Sequence, residues 1–229
     1  MKHLIKTTLL LALVLLAMVS CSGNQSVSNS DSTFEVNGIY YNKINSNEVE
    51  VTYKGTSCSQ YSNDYSGSVT IPATVTYNGT TYSVTSIGYG AFDPCSSLTN
   101  INIPNSVTNI CSYAFRGCSS LTAINIPNSV TSIQWDAFSG CSSLTTINIP
   151  NSVTTIGEDA FSDCPSLNDI YCYATTPPRC ENSCFINYSA TLHVPAASLV
   201  AYRAAPVWNK FKNIVGDADA TNGHRNQSR

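Results

Sequence analysis

The groups in this 229-residue chain that could do chemistry are three histidines, fourteen acidic residues and ten cysteines. A hydrolytic Ser-His-Asp set needs a histidine as general base and a carboxylate to orient it. His193 with Asp169 offers such a pair, but no spacing brings a serine beside it, and His3 and His224 lie near the chain ends. Gly-rich phosphate loops, HExxH pairs and nucleophile elbows do not occur. Asp136, Glu158, Asp159 and Asp163 could approach one another as paired carboxylates or a calcium site. Each stands where neighbouring segments carry Ser, Gly or Tyr, which reads as solvated loop charge. A non-catalytic protein without cofactor or metal is expected.

The cysteines divide by spacing. Cys95, Cys118, Cys141 and Cys164 recur at one constant interval. In a stack their Cβ vectors run parallel, which does not suit the disulfide torsion, so a column of buried thiols is expected. Cys111 lies beside that column. Cys172, Cys180 and Cys184 break the spacing and are the disulfide candidates, two of the three pairing. Zinc at these three would lack supporting histidines.

Cys21 follows Lys2, Lys6 and an apolar run from Leu9 to Val19 that is short for a membrane span. The sequence Met18-Val19-Ser20-Cys21 resembles a bacterial lipobox, with an ordinary secretory signal as the alternative. The resemblance implies that Cys21 is acylated and becomes the new N-terminus. Two or three acyl chains anchor stably where one is marginal. The protein is thus expected to be exported and lipid-anchored in the outer membrane of a Gram-negative bacterium, on its surface or periplasmic face, touching membrane only through that anchor.

Something must position these groups, and the chain repeats itself. Ile87 to Asn109, Ile110 to Ser132 and Ile133 to Thr155 align without a gap, and a fourth unit starts at Ile156. The period, about 23 residues, falls in the leucine-rich-repeat range. Leu98, Ile101 and Ile103 point inward with strand alternation, leaving Asn100 and Asn102 outside. Pro104 ends the ladder and starts a turn with Asn105 and Ser106. Val107 and Ile110 lead back on a second short extended stretch, and Ala114, Phe115 and Cys118 close the coil. Stacking sets equivalent residues about 4.8 Å apart, so Phe92, Phe115, Phe138 and Phe161 become one column. A lone unit cannot offset its ordering entropy, whereas a stack can.

The expected fold class is a β-rich leucine-rich-repeat solenoid of about four 23-residue units, with a β-hairpin N-terminal cap and a short helical C-terminal cap. Residues 1–20 read as a lipoprotein signal peptide and 21–32 as a flexible tether. A β-rich N-terminal cap follows over 33–86, marked by the hairpin signal Tyr77-Asn78-Gly79-Thr80. The repeats run over 87–174, a C-terminal cap over 175–216 and a disordered tail over 217–229. In the last cap, Ala196 to Ala205 reads as a short helix with Leu199, Val200 and Tyr202 on its buried side, and Trp208, Phe211, Ile214 and Val215 available to cover the last rung.

The Ala-Phe-x-x-Cys-Ser-Ser-Leu-Thr and Ile-Pro-Asn-Ser-Val-Thr-x-Ile runs resemble the BspA-like leucine-rich-repeat family over roughly residues 66 to 195. The resemblance implies a bacterial surface protein, some of whose relatives adhere to host matrix proteins or to other bacteria.

What remains for binding is small. A net charge of −3 with 11% charged residues excludes a basic nucleic-acid footprint. Ser, Thr and Asn fill the polar positions and suit a surface that binds by many modest hydrogen bonds. Two candidate surfaces follow. The strand face carries Asn102, Asn125, Asn148 and Tyr171, either as a self-satisfied ladder or as a ligand face. The loops after each leading Ile carry Tyr89, Tyr113 and Trp135, either as exposed anchors or as rings folded back over the Phe column. Arg116 could join either. The expected function is a non-catalytic binding scaffold, a monomer whose partner is a host matrix or bacterial surface protein; the alternatives are a glycan bound for nutrient capture, or a structural envelope component.

Overall fold

A computed structural model describes residues 33–55, 65–181 and 183–217. The signal peptide, Cys21, the tether and the tail beyond Asp217 lie outside the described residues. The chain opens with an antiparallel meander of β1 (Thr33–Val36), β2 (Ile39–Lys43) and β3 (Glu48–Thr52). Its first turn is Asn37-Gly38, both at positive φ, as a two-residue hairpin loop with the strands' own twist requires.

From β4 (Gly67–Thr70) onward the chain coils, laying one strand on each of two parallel sheets per turn. The first sheet face runs from β4, paired with β7 (Leu98–Asn102), to the ladder of β9 (Ala123–Asn125), β11 (Thr146–Ile149), β13 (Asp169–Cys172), β15 (Thr191–His193) and β16 (Asn213–Val215). The return sheet starts on β3 and continues through β6 (Thr80–Ile87), β8 (Asn109–Ile110), β10 (Ser132–Ile133), β12 (Thr155–Ile156) and β14 (Arg179–Cys180). β5 (Thr74–Tyr77) folds antiparallel onto β6 across Asn78-Gly79. A third side has no strands, yet its backbone is also paired between coils: the Phe115 amide donates to the Ala137 carbonyl and Phe138 to Ala160, each at 2.8 Å.

Constant register turns sequence identity into columns. Phe92, Phe115, Phe138, Phe161 and Phe185 stack with centroids 5.1, 5.2, 5.4 and 5.0 Å apart, nearly parallel throughout. Three of the four repeat cysteines donate their thiols to the Phe carbonyl one coil earlier: Cys118 to Phe92, Cys141 to Phe115 and Cys164 to Phe138, all at 3.2 Å. The hydroxyls behave alike. Ser106 and Ser152 donate to the Val84 and Val130 carbonyls at 2.6 Å, and Thr108, Thr131 and Thr154 reach the preceding threonine carbonyl. Many serines and threonines expected to serve a binding surface therefore join coil to coil. Among the described residues, no buried side-chain nitrogen or oxygen lacks a partner.

Several expectations change. The solenoid has about six turns, not four, because both expected caps contribute rungs. At the N-terminal end β4 and β6 form a coil interrupted by the β5–β6 hairpin. At the C-terminal end Cys180 pairs with Ile156 and Phe185 with Phe161, a step one residue longer than the repeat, which hides it in the sequence. A 3-10 turn, Ala196–Ser198, and helix α1 (Leu199–Ala204) follow. Tyr202 is buried, its hydroxyl donating to the Ala174 carbonyl at 2.8 Å, but Val200 is 81% exposed on the opposite side. Trp208 and Phe211 are buried, Trp208 bonding the Pro178 carbonyl, while Ile214 and Val215 add strand β16. Asp217, placed in the expected tail, is held by His193. Among the described residues, no helix is long and apolar enough to cross a membrane.

Candidate interaction surface

The corner after each return strand carries the variable residues. Gly90, Tyr113, Asp136 and Asp159 occupy one repeat position, and all four are left-handed, with φ of 59°, 60°, 53° and 54°. Glycine takes that conformation freely; a tyrosine there is uncommon and costs about 1 kcal/mol or more. Inter-coil bonds hold the corner, since the Tyr113 amide donates to the Trp135 carbonyl and the Asp136 amide to the Glu158 carbonyl, each at 3.0 Å. The coil beneath Trp135 approaches closely: a Cβ on Gly157 would lie 2.6 Å from the Trp135 nitrogen.

On this corner Tyr89, Tyr113 and Trp135 form a ladder of edge-to-face rings with centroids 5.3 and 5.0 Å apart. They do not fold over the Phe column: Tyr89 and Tyr113 are half-buried against each other, and Trp135 is 46% exposed. Arg116 belongs to this surface. Its guanidinium lies 4.5 Å from the Tyr113 ring centroid and grips Asp93 with two bonds, Nε to Oδ1 at 3.0 Å and Nη2 to Oδ2 at 2.7 Å. Asp93 is buried and Arg116 half-exposed, so the fork fixes the cation over the ring. Asp93 escapes a reading of the sequence alone, although it and Arg116 stand one full repeat apart with opposite charge, which places them on adjacent coils. Burial raises the Asp136 carboxyl above its usual range; the Ser139 hydroxyl and the Arg116 charge oppose this, and neighbouring Asp159 and Glu158 add to the rise. Burial also raises Tyr113.

The strand face is a separate surface. Asn125, Asn148, Tyr171 and His193 follow one another in register across β9, β11, β13 and β15, with Asn102 on β7 lining a shallow depression beside Asn125. Tyr171 and His193 stack at 4.2 Å, so one face of each ring is spent on the other. Both His193 nitrogens meet carboxylates, Nδ1 with Asp217 at 2.8 Å and Nε2 with Asp169 at 3.2 Å, which leaves neither to serve as a general base. Tyr173, missed in the sequence, reaches Asn148 Oδ1 at 3.5 Å from the repeat position that holds Pro104, Pro127 and Pro150 elsewhere.

Cysteine chemistry is spent on structure. Cys180 and Cys184 form a disulfide with Cα atoms 6.1 Å apart, and Cys111 is also disulfide-bonded. Cys172, offered as a disulfide candidate, is instead a buried free thiol beside the Tyr202 hydroxyl at 3.1 Å; its strand continues the core ladder away from the Cys180–Cys184 turn. Burial pushes the Cys164 and Cys172 thiols up to about 11 and raises Cys118 and Cys141 as well, which keeps them protonated. Among the described residues, no group of three His, Cys, Asp or Glu could hold a metal ion. Asp136, Glu158 and Asp159 lie on the corner as exposed or half-exposed loop charges.

Comparison with known proteins agrees with this architecture. A leucine-rich repeat protein from Bacteroides ovatus is similar at 31% identity, the match covering 79% of this chain and 40% of that one, with a TM-score of 0.54. Another, from Bacteroides capillosus, is similar at 28% identity over 62% of this chain and 99% of that one, with a TM-score of 0.52. The chain thus spans about 40% of the length of the B. ovatus protein. No curated protein matches it significantly. The model for the BspA type leucine-rich repeat region matches residues 61–192 in six copies. With that match across more than half of its length, the chain belongs to the BspA-type leucine-rich-repeat family.

Proposed function

We propose that this protein is a cell-envelope lipoprotein that holds a protein partner against its aromatic corner, in adhesion to host or bacterial surface proteins. The observation that carries this reading is the Tyr89–Tyr113–Trp135 ladder, which ends in a 46% exposed tryptophan and has Arg116 held over its middle ring. Aromatic anchors backed by arginine are what interface hot spots consist of. Rings fixed by backbone pairing reach a partner with little ordering cost. Catalysis has no part in this reading, and no cofactor is called for. The scaffold acts as a monomer, with the meander over one end and Trp208 and Phe211 over the other. Acylation at Cys21 ties it to the outer membrane.

The test is a partner screen with the whole chain and a Tyr113→Ala/Trp135→Ala variant. The variant should lose the partner at least tenfold while its melting temperature moves little. A variant several degrees less stable that still binds would make the rings packing residues, and retention of a glycan in place of a protein would replace the partner class. Cys21→Ser should abolish incorporation of labelled fatty acid; persistent labelling would end the anchor reading.

A further inference from the structure

The corner changes character along the solenoid axis, and the change gives the partner a chemistry. This inference rests on the reading that the corner docks a protein. One column of repeat positions reads Tyr89, Ser112, Trp135, Glu158. The next reads Gly90, Tyr113, Asp136, Asp159, and the column of the charged fork reads Asp93, Arg116, Ser139, Ser162. Rings thus give way to carboxylates between one coil and the next, with Trp135 at the boundary.

The first half of the corner shows how this scaffold holds a cation. Arg116 lies over the Tyr113 ring and is gripped by a carboxylate from the adjacent coil. One coil further, a ring and carboxylates recur as Trp135 with Asp136, Glu158 and Asp159, but the position equivalent to Arg116 is Ser139, whose hydroxyl pairs with Ser162 at 2.7 Å. A ring and carboxylates are presented there too, though not at the positions of Tyr113 and Asp93, which Asp136 and Arg116 hold one repeat on, and the chain supplies no guanidinium from the position of Ser139. Arg116 spends its two fork bonds on Asp93 and reaches Asp136 only through space, so the second half of the corner, with Asp136, Glu158 and Asp159, carries an excess of negative charge. Burial first, and then the neighbouring Asp159 and Glu158 charges, displace the Asp136 carboxyl upward against Ser139 and Arg116, so like charges share this edge.

We propose that the corner receives a basic segment of a partner protein, seating an arginine or lysine side chain over Trp135 between Asp136, Glu158 and Asp159. A cation there gains the face of an indole and relieves three carboxylates at once, and electrostatic steering raises the rate of encounter.

A fluorescent peptide of alternating arginine and serine tests this, with a glutamate-serine peptide of equal length beside it and the whole chain as receptor. The arginine peptide should bind and quench the emission of Trp135, more weakly as salt rises. Affinity should fall at least tenfold in Asp136→Asn/Glu158→Gln/Asp159→Asn and in Trp135→Ala. It should change less than twofold in Asp169→Asn/Asp217→Asn, which removes the same kind of charge from the strand face. The amide replacements are close in shape and asparagine tolerates the left-handed positions, so thermal melting should report intact coils. Equal loss in the strand-face variant, or preference for the glutamate peptide, would overturn the proposal. A natural partner that needs Tyr113 and Trp135 but ignores the carboxylate variant would end this inference and leave the docking reading standing; one indifferent to both variants would end both.

Discussion

The interior and the corner of the same coils obey opposite rules. Inside, each position repeats: Phe stacks on Phe and each thiol meets the carbonyl one coil back. At the corner, adjacent coils place Tyr113 and Asp136, or Trp135 and Glu158, at equivalent positions, and two of those residues sit in a conformation that glycine would adopt without strain. Repetition marks where coils need one another. Departure from repetition, held in place by identical backbone pairing, marks where the protein faces something else.

That contrast can be broken most severely at Phe138. It stacks on both Phe115 and Phe161 and is fully buried, so Phe138→Ala should cost about 3–5 kcal/mol in chemical denaturation. Trp135, on the neighbouring corner, should cost under about 0.5 kcal/mol when truncated. Similar losses at both would erase the distinction between interior and corner.

A second, smaller effect lies at the first coil, where the meander presses Glu50 against Gly88. Burial raises the Glu50 carboxyl to about 7, with the Asn42 amide opposing. Because its folded pKa exceeds the unfolded value of about 4.5, its contribution is fully present below pH 4.5 and is lost as pH rises through 7. Glu50→Gln should therefore be more stable than the parent at pH 8, by up to about 3 kcal/mol, and no more stable at pH 4. Parallel pH profiles for the two proteins would refute this account of Glu50.

A smaller effect than that of Glu50 belongs to the fork. Arg116→Ala leaves Asp93 buried without its partner, but the guanidinium is half in solvent, so a loss of about 1 kcal/mol is expected. Replacement by lysine should recover charge without the two-bonded geometry, and hence only part of that stability.

The solenoid was legible because its period is strict where its columns are longest. Phe92 through Phe161 and the four cysteines announce themselves by their unvarying interval. Phe185 does not, because one extra residue precedes it and Cys184 replaces the usual Ala. The corner rings could be located in sequence but not turned outward or inward, since that depends on left-handed backbone at Tyr113, which no local signal announces. Arg116 was assignable to neither face until Asp93 appeared beneath it. The hydroxyls misled for a plainer reason: a serine that reaches back to a carbonyl one coil away looks, in sequence, like any surface serine.

Strict register has a consequence for how such a molecule can change. Excision of the segment from Ile110 to Ser132 would bring Phe138 onto Phe92 and Cys141 onto the Phe92 carbonyl, mending each interior column at the splice. Outside, the same event would set Trp135 directly beside Tyr89 and remove Tyr113 and Arg116 together. Recombination in units of one coil therefore edits the exposed corner while the repeated columns are carried through, at the cost here of the Cys111 disulfide and the partner of Asp93.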